Sequence, residues 1–521
     1  MVPNFAKPSA LPHSQPKNDD GPALNPRWMI HCPVSLKSLY QAFMHQACSR
    51  PDATALLLAS PNKVQGMCSW RSLASVVHST AHRLQRQLDK DRSLPRCIGY
   101  ASDNSDADIV IAIASMALGT TEAPLDGRLG AVDIARRWSR MGGLWIDETS
   151  KGQIHAELAA SCHATTLAEP TPLVPVATET GNPADQASLI LWTSGTTRQP
   201  EGVLLSQHSL FANAAAKLKA VPQNQSDVRL TVLPLSHAYA RTCDFGTWLL
   251  SGCTLALSLG YRNMLERLSD LKPHLINTVP ALANRLLEDK PAGLEHLRLL
   301  GCGGAPLRES TFAAWKQRGV TVIQGYGLTE TGPVICSATA NDATPGLVGA
   351  PVEGWETRIE DGQLFVRGPH TMLGYLDHPQ ATQERMTEDG WLATGDVVQQ
   401  DATTNQLRVL GRVDDVIVLE SGTKIFPAVI EREIEGVDGI AHALLYLGDS
   451  LQLWLDLNGG EKIEAVQTAV FNTLSCQNIP LKCSLHHFDP KLSFAAGELT
   501  AKGTMRRGRI IHQRLANHAG S

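Results

Sequence analysis

Apolar positions along the chain alternate between two spacings. Segments 36–44 and 70–77 place apolar residues at helical intervals, whereas 53–59 and 97–101 are short apolar runs of the kind a buried strand makes. Segment 109–118 is apolar throughout and reads as a buried helix, since it is about half of what a membrane span needs. Pro124, Leu125 and Asp126 read as punctuation closing that helical region. Helix alternating with strand over 34–181 predicts α/β layering, with helices covering sheets.

Further along, strands run into glycine turns. The apolar run 189–192 leads into Thr193, Ser194, Gly195, Thr196 and Thr197. Segment 204–216 then reads as a strand or turn followed by a helix, with Ser206 as N-cap and Leu210, Ala214 and Leu218 on one face. Hydroxyls and glycine backbone in such a loop suit a phosphate chain, although the order is not that of a Walker loop. Segment 230–241 is a strand turning at Pro234, which delivers His237 to a loop. Segments 297–306 and 320–332 repeat the strand-then-glycine design, which is where open α/β sheets bind ligands. Glu330, between Thr329 and Thr331, can offer a hard oxygen to Mg²⁺. From 348 to 411 the pattern changes to short strands and turns. There Asp396 follows Thr394-Gly395 and can accept from ribose hydroxyls, with Arg412 as a supporting cation. Each of these residues also has an ordinary reading: a Ser/Thr/Gly turn, a packed His, a solvated Glu, a turn Asp, a surface Arg.

Composition narrows the classes. The 521 residues leave room for roughly two to four domains. A net charge of −5 gives no nucleic-acid surface. Eleven cysteines without a C-x-x-C pair argue against a disulfide framework or zinc site and for a reducing cytoplasm. Residues 1–26, rich in Pro, Asn and Lys, read as a flexible tail without the apolar core of a signal peptide. No membrane span is expected.

Taken together, 36–507 resembles the adenylate-forming superfamily, which includes acyl- and aryl-CoA synthetases, peptide-synthetase adenylation domains and firefly luciferase. The stretch 193–203 resembles its phosphate loop T-S-G-T-T-G-x-P-K-G-V, and Pro234-Leu-Ser-His237 resembles its P-L-x-H motif. Residues 303–306 and 325–330 resemble its adenine and magnesium motifs, 391–396 its ribose motif and 411–427 its hinge motif. The resemblance implies a large N-terminal α/β domain of layered sheets and helices with a small β subdomain, over 27–412. It also implies a small mobile α+β C-terminal domain over 413–521, hinged at Asp414. The implied reaction activates an apolar, fatty or aryl carboxylic acid with ATP as acyl-AMP and transfers it to a thiol. By resemblance, 193–197 hold the β- and γ-phosphates, Thr329 contacts the α-phosphate and Glu330 binds Mg²⁺. Tyr326 stacks on adenine beside Gly304, Ala305, Gly325 and Gly327, Asp396 and Arg412 hold the ribose, and His237 lines the acyl site or thiol approach. Gly422 marks the thiol tunnel.

Three positions depart from the family. Arg198 replaces the loop's usual Gly, a feature shared with ligases that load carrier proteins. Glu201 replaces its usual Lys, so that part of the loop is expected to turn away from phosphate. Near the C-terminus the family has L-T-x-x-x-K-x-x-R, and here Thr504 takes the lysine position. Lys502 stands two residues earlier, on the same face of an extended segment but displaced by about 6–7 Å. Three outcomes are therefore carried forward: a CoA ligase, a ligase acting on carrier-protein phosphopantetheine, and an adenylation-impaired nucleotide-binding protein. An amino-acid substrate would need an acid near 238–241; Asp244 is the nearest.

Overall fold

The structure is a computed structural model, and it describes residues 36–59, 64–163, 186–193, 200–419, 422–458, 462–476, 483–493, 495–499 and 505–515. The chain is α/β. Its larger part contains two big sheets. One has six strands, in the order Gly374–Tyr375, Gly202–Ser206, Ala187–Trp192, Thr121–Asp126, Cys97–Ser102, Leu144–Ile146. The other has nine strands, with Val228–Thr231, Leu275–Thr278, Leu299–Cys302 and Thr321–Tyr326 paired in parallel near its middle.

The helix Asp106–Leu118 shows why the sheets hold together. Ile109 to Ala114 are fully buried, so the helix is apolar on every face and is covered on every face. Each such Ile or Val contributes roughly 2 kcal/mol of burial. Gly119 ends it with φ 61°, a left-handed cap that glycine adopts without penalty. Beside it, Ser69 caps Trp70–Lys90, and Trp70 stacks on Trp248 with ring centroids 5.0 Å apart.

Two sequence expectations are corrected. Pro124-Leu125-Asp126 is not punctuation but the end of a strand, Thr121–Asp126, in the six-stranded sheet. Its Thr, Glu, Pro and Asp hide the apolar run that a buried strand usually shows. Glu122 is tolerated there because Tyr100 donates to it at 2.6 Å and Arg241 pairs with it in the same interior. The strand Val64–Ser69 was also not foreseen. By contrast, Ser206 caps Gln207–Ala220, accepting from the Ser209 N–H at 3.0 Å, and Leu210 and Ala214 are buried.

A four-stranded antiparallel sheet follows, in the order Glu356–Glu360, Gln363–Arg367, Leu392–Gln400, Leu407–Arg412. After the turn at Val413–Asp415 come the helices Pro427–Glu435 and Ile463–Cys476. They pack on a three-stranded sheet of Ile440–Leu447, Leu451–Leu457 and Cys483–His487. These elements have an apolar core of their own, including Ile430, Ile434, Leu445, Leu453 and Val470. Among the described residues no helix is long and apolar enough to cross a membrane. The expected tail 1–26 lies outside the described residues.

Candidate active site

The ends of Leu299–Cys302 and Thr321–Tyr326 lie side by side, since Cys302 pairs with Gln324 in register. The turns that follow, through Gly303, Gly304 and Ala305 and through Gly327, Leu328 and Thr329, line a cavity of about 1090 Å³. Gly304 has φ 80°, and a Cβ on Gly327 would lie 1.6 Å from the Pro333 carbonyl oxygen, so both positions need glycine.

The four-stranded sheet supplies the opposite side. Antiparallel register sets Asp396 directly across from Arg412. Arg412 donates to Asp396 Oδ1 at 3.0 Å, and Tyr326 donates its hydroxyl to Asp396 Oδ2 at 2.5 Å. Burial pushes the Asp396 carboxyl above its ordinary range, against the opposing pull of Arg412 and Tyr326. Arg412 also donates to the Thr394 carbonyl at 3.0 Å, which fixes the guanidinium in place. Tyr326, expected as an adenine platform, is thus anchored through its hydroxyl while it lines the cavity.

Thr329 opens the single helical turn Thr329–Thr331, which carries Glu330 into the cavity. Tyr375 donates to Glu330 Oε1 at 2.7 Å, and Arg385 Nη2 stands 3.9 Å from the same oxygen. Both contacts fall on Oε1, and among the described residues no hydrogen bond or ion pair falls on Oε2. Arg385 Nη1 would also lie 2.9 Å from a Cβ at Gly395, which places this guanidinium beside the Asp396 strand. Neither Tyr375 nor Arg385 was found from sequence. Arg385 ends the helix Pro379–Arg385, where a charged residue reads as a solvated face.

His237 lines the cavity, with Nε2 3.3 Å from Asp126 Oδ2. Arg128 holds the same carboxylate through two further contacts, at 2.9 and 2.6 Å. Burial opposes ionisation of Asp126, but the hydrogen bonds from Arg128 and His237 outweigh it and hold the carboxyl well below its usual range. Asp126 was missed as a partner because its strand was missed.

Thr193 also lines the cavity, and its hydroxyl oxygen accepts from the Glu201 N–H at 3.0 Å, which ties the two ends of the loop together. The Glu201 carboxylate is engaged by His378 at 3.0 Å and Arg140 at 3.8 Å. Ser194, Gly195, Thr196, Thr197 and Arg198 lie outside the described residues, as do Lys502 and Thr504. Gly325 and Asp414 line the cavity, whereas Gly422, an exposed turn residue with φ 80°, is not among the residues lining it. Asp244 is no candidate for a substrate ammonium. It is fully buried in a pair with Arg229 at 2.6 Å, also accepts from Asn277 at 2.6 Å, and does not line the cavity. Two further cations line the cavity and were missed: Lys217, from the exposed-looking end of Gln207–Ala220, and Arg432, from Pro427–Glu435.

The site is thus a glycine-turned α/β cleft lined by the Asp396–Arg412 pair and Glu330. Residues 43–376 match the AMP-binding enzyme family, and the chain belongs to it. Over 372 residues it is 28% identical to feruloyl-CoA synthase from an Amycolatopsis species, covering 66% of this chain and 73% of that one. Over 271 residues it is 31% identical to the long-chain-fatty-acid–CoA ligase of Haemophilus influenzae, covering 47% and 48% respectively; the chain thus matches about half the length of that relative. Among solved structures it resembles ATP-bound MatB from Rhodopseudomonas palustris, with a TM-score of 0.74, 21% identity, and 91% of this chain and 98% of that chain covered. It also resembles o-succinylbenzoate coenzyme A synthetase from Bacillus subtilis in complex with ATP and magnesium ion, with a TM-score of 0.73, 21% identity, and 90% and 98% covered. At these identities the structures establish the fold. The sequence relatives are acyl- and aryl-CoA ligases, and the chain is an AMP-forming ligase of that class.

Proposed function

We propose that this enzyme joins a carboxylic acid to AMP at the expense of ATP and then passes the acyl group to the thiol of CoA. The observation that carries this reading is the meeting, in one cavity, of the Tyr326–Asp396–Arg412 cluster, Glu330 and His237. In the first step a carboxylate oxygen attacks the α-phosphorus, and the bond to pyrophosphate breaks with its electrons leaving on pyrophosphate. In the second, a thiolate sulfur attacks the acyl carbon, and the acyl–oxygen bond breaks to release AMP. Both are reactions of position and charge neutralisation, which fixed dipoles and cations serve well.

Asp396 accepts from the ribose hydroxyls, and Arg412 favours its ionised form against the effect of burial. Tyr326 forms the adenine side of the cleft with Gly304, Ala305, Gly325 and Gly327. Thr329 meets the α-phosphate, and Arg385 adds a cation beside it. Glu330 fits Mg²⁺, because its hard oxygen faces the cavity and Tyr375 fixes the carboxylate. The ion would neutralise phosphate charge. His237, oriented by Asp126, borders the acyl end. Residues 194–197 are assigned to the phosphates on their sequence alone.

The division into 27–412 and 413–521, with a turn of the small domain about Asp414 between steps, is part of the same reading. It is supported by the separate apolar core that follows the turn at Val413–Asp415. A cytoplasmic setting accords with Cys68, Cys97, Cys243, Cys253, Cys302 and Cys336 standing as buried thiols rather than disulfides. A carrier-protein phosphopantetheine thiol would use the same nucleotide residues, and Arg198 favours it. The test is acyl transfer with CoA and with a phosphopantetheinylated carrier protein, each after single-turnover formation of the adenylate. Faster adenylate loss with CoA supports the proposal, and loss only with the carrier protein overturns the CoA assignment.

A further inference from the structure

Among the described residues Lys217 is an ammonium without a carboxylate counter-ion. It sits near the end of Gln207–Ala220, lines the cavity, and its Nζ donates to Ser337 Oγ at 2.7 Å. Ser337 pairs in register with Gly325, so the lysine stands behind the strand end that forms the cavity wall. Among the described residues no carboxylate pairs with it, although Arg229, Arg241 and Arg298 each have one. Burial drives the ammonium below the ordinary lysine range. The Cys243 thiol opposes this, and Arg229, itself paired with Asp244, adds to it. Cys243, Val334, Tyr239, Ile323 and Gly303 line the same cavity.

A half-buried ammonium with no carboxylate beside it among the described residues loses part of its hydration without a partner, and an anion brought by the substrate would relieve this. An alkyl terminus pressed against it would keep the desolvation and offer no partner, so the same lysine selects against a plain fatty chain. We infer that Lys217 receives a second carboxylate, and that the acid this enzyme activates is a dicarboxylic acid whose far end is neutralised inside the cavity. This rests on the adenylation reading above and narrows the acid to one that carries a second carboxylate.

The experiment uses the full chain and matched acid pairs: hexanoate against adipate, and 3-phenylpropanoate against 3-(4-carboxyphenyl)propanoate. Acid binding is measured by calorimetry and turnover by pyrophosphate release with ATP and Mg²⁺. The wild type is expected to prefer the dicarboxylate of at least one pair by tenfold or more, and Lys217→Met to lower that ratio roughly 100-fold, the scale of removing one partner from a buried pair. Lys217→Arg retains part of the preference. Wild-type preference for the monocarboxylates, or a ratio unchanged in Lys217→Met, overturns the inference. If Lys217→Met fails to fold, the wild-type ratio decides. The two readings fail separately. Lys217-dependent binding of a dicarboxylate without pyrophosphate release sinks adenylation and leaves the site. Release with monocarboxylates that ignores Lys217 sinks the site and leaves adenylation.

Discussion

Replacing Asp396 with Asn keeps the side-chain shape but removes the charge that Arg412 and Tyr326 are built around. The carboxylate is 6% exposed and takes hydrogen bonds from Tyr326 at 2.5 Å and Arg412 at 3.0 Å. If it also accepts from two ribose hydroxyls, each bond to the ionised group is worth about 1.5–3 kcal/mol, and an amide recovers part of this. A net loss of about 3 kcal/mol is expected, or roughly 100-fold in kcat/KM for ATP. The assay is pyrophosphate release over a range of ATP, repeated with 2′,3′-dideoxy-ATP. Wild type should lose a similar factor on the dideoxy nucleotide, and Asp396→Asn should lose little more, because nucleotide and side chain share one interaction. Thermal midpoints separate this from unfolding. Losses that simply multiply would refute the ribose role.

Glu330→Gln should shift the Mg²⁺ concentration giving half-maximal rate upward by about tenfold, since one hard anionic ligand becomes neutral; an unchanged Mg²⁺ curve would remove Glu330 from the metal site. His78 and His370 are 7% and 1% exposed, and burial holds each imidazole down to about 4 from the ordinary 6.5. Between those values the unfolded chain binds more protons than the folded one. Stability is therefore full above pH 6.5 and is lost as pH falls toward 4, by roughly 3 kcal/mol per histidine. Urea midpoints at pH 7.5 and 5 should differ, and should differ less in His370→Gln; equal midpoints in the wild type would contradict the burial argument. Thr504→Lys should raise the adenylation rate, because a neutral hydroxyl cannot neutralise an α-phosphate; no gain would count against aligning Thr504 with the family's lysine.

Much of the nucleotide side of the cavity was legible in the sequence. Glycine turns at Gly303–Gly304 and Gly325–Gly327 follow apolar runs, and the local chain there dictates both the strand end and the close backbone approach. Asp396 was readable from the Thr394-Gly395 pair before it and Arg412 as a nearby cation, and strand register sets the two across from each other. What was not legible depends on distant parts of the chain. His237 and Asp126 meet only through the packing of two sheets. Lys217 and Arg385 lie on helices whose polar residues look solvated until a cavity opens beside them. The buried pairs Glu122–Arg241 and Asp244–Arg229 defeat the rule that charge marks surface, because each supplies its own compensation.

The central claim is that a carboxylate oxygen attacks the α-phosphorus of ATP. An acid labelled with ¹⁸O in its carboxyl group tests this directly, by mass spectrometry of the nucleotide formed in the presence of a thiol. The account predicts one ¹⁸O in the AMP released. Unlabelled AMP, or label found only in inorganic phosphate, would contradict it.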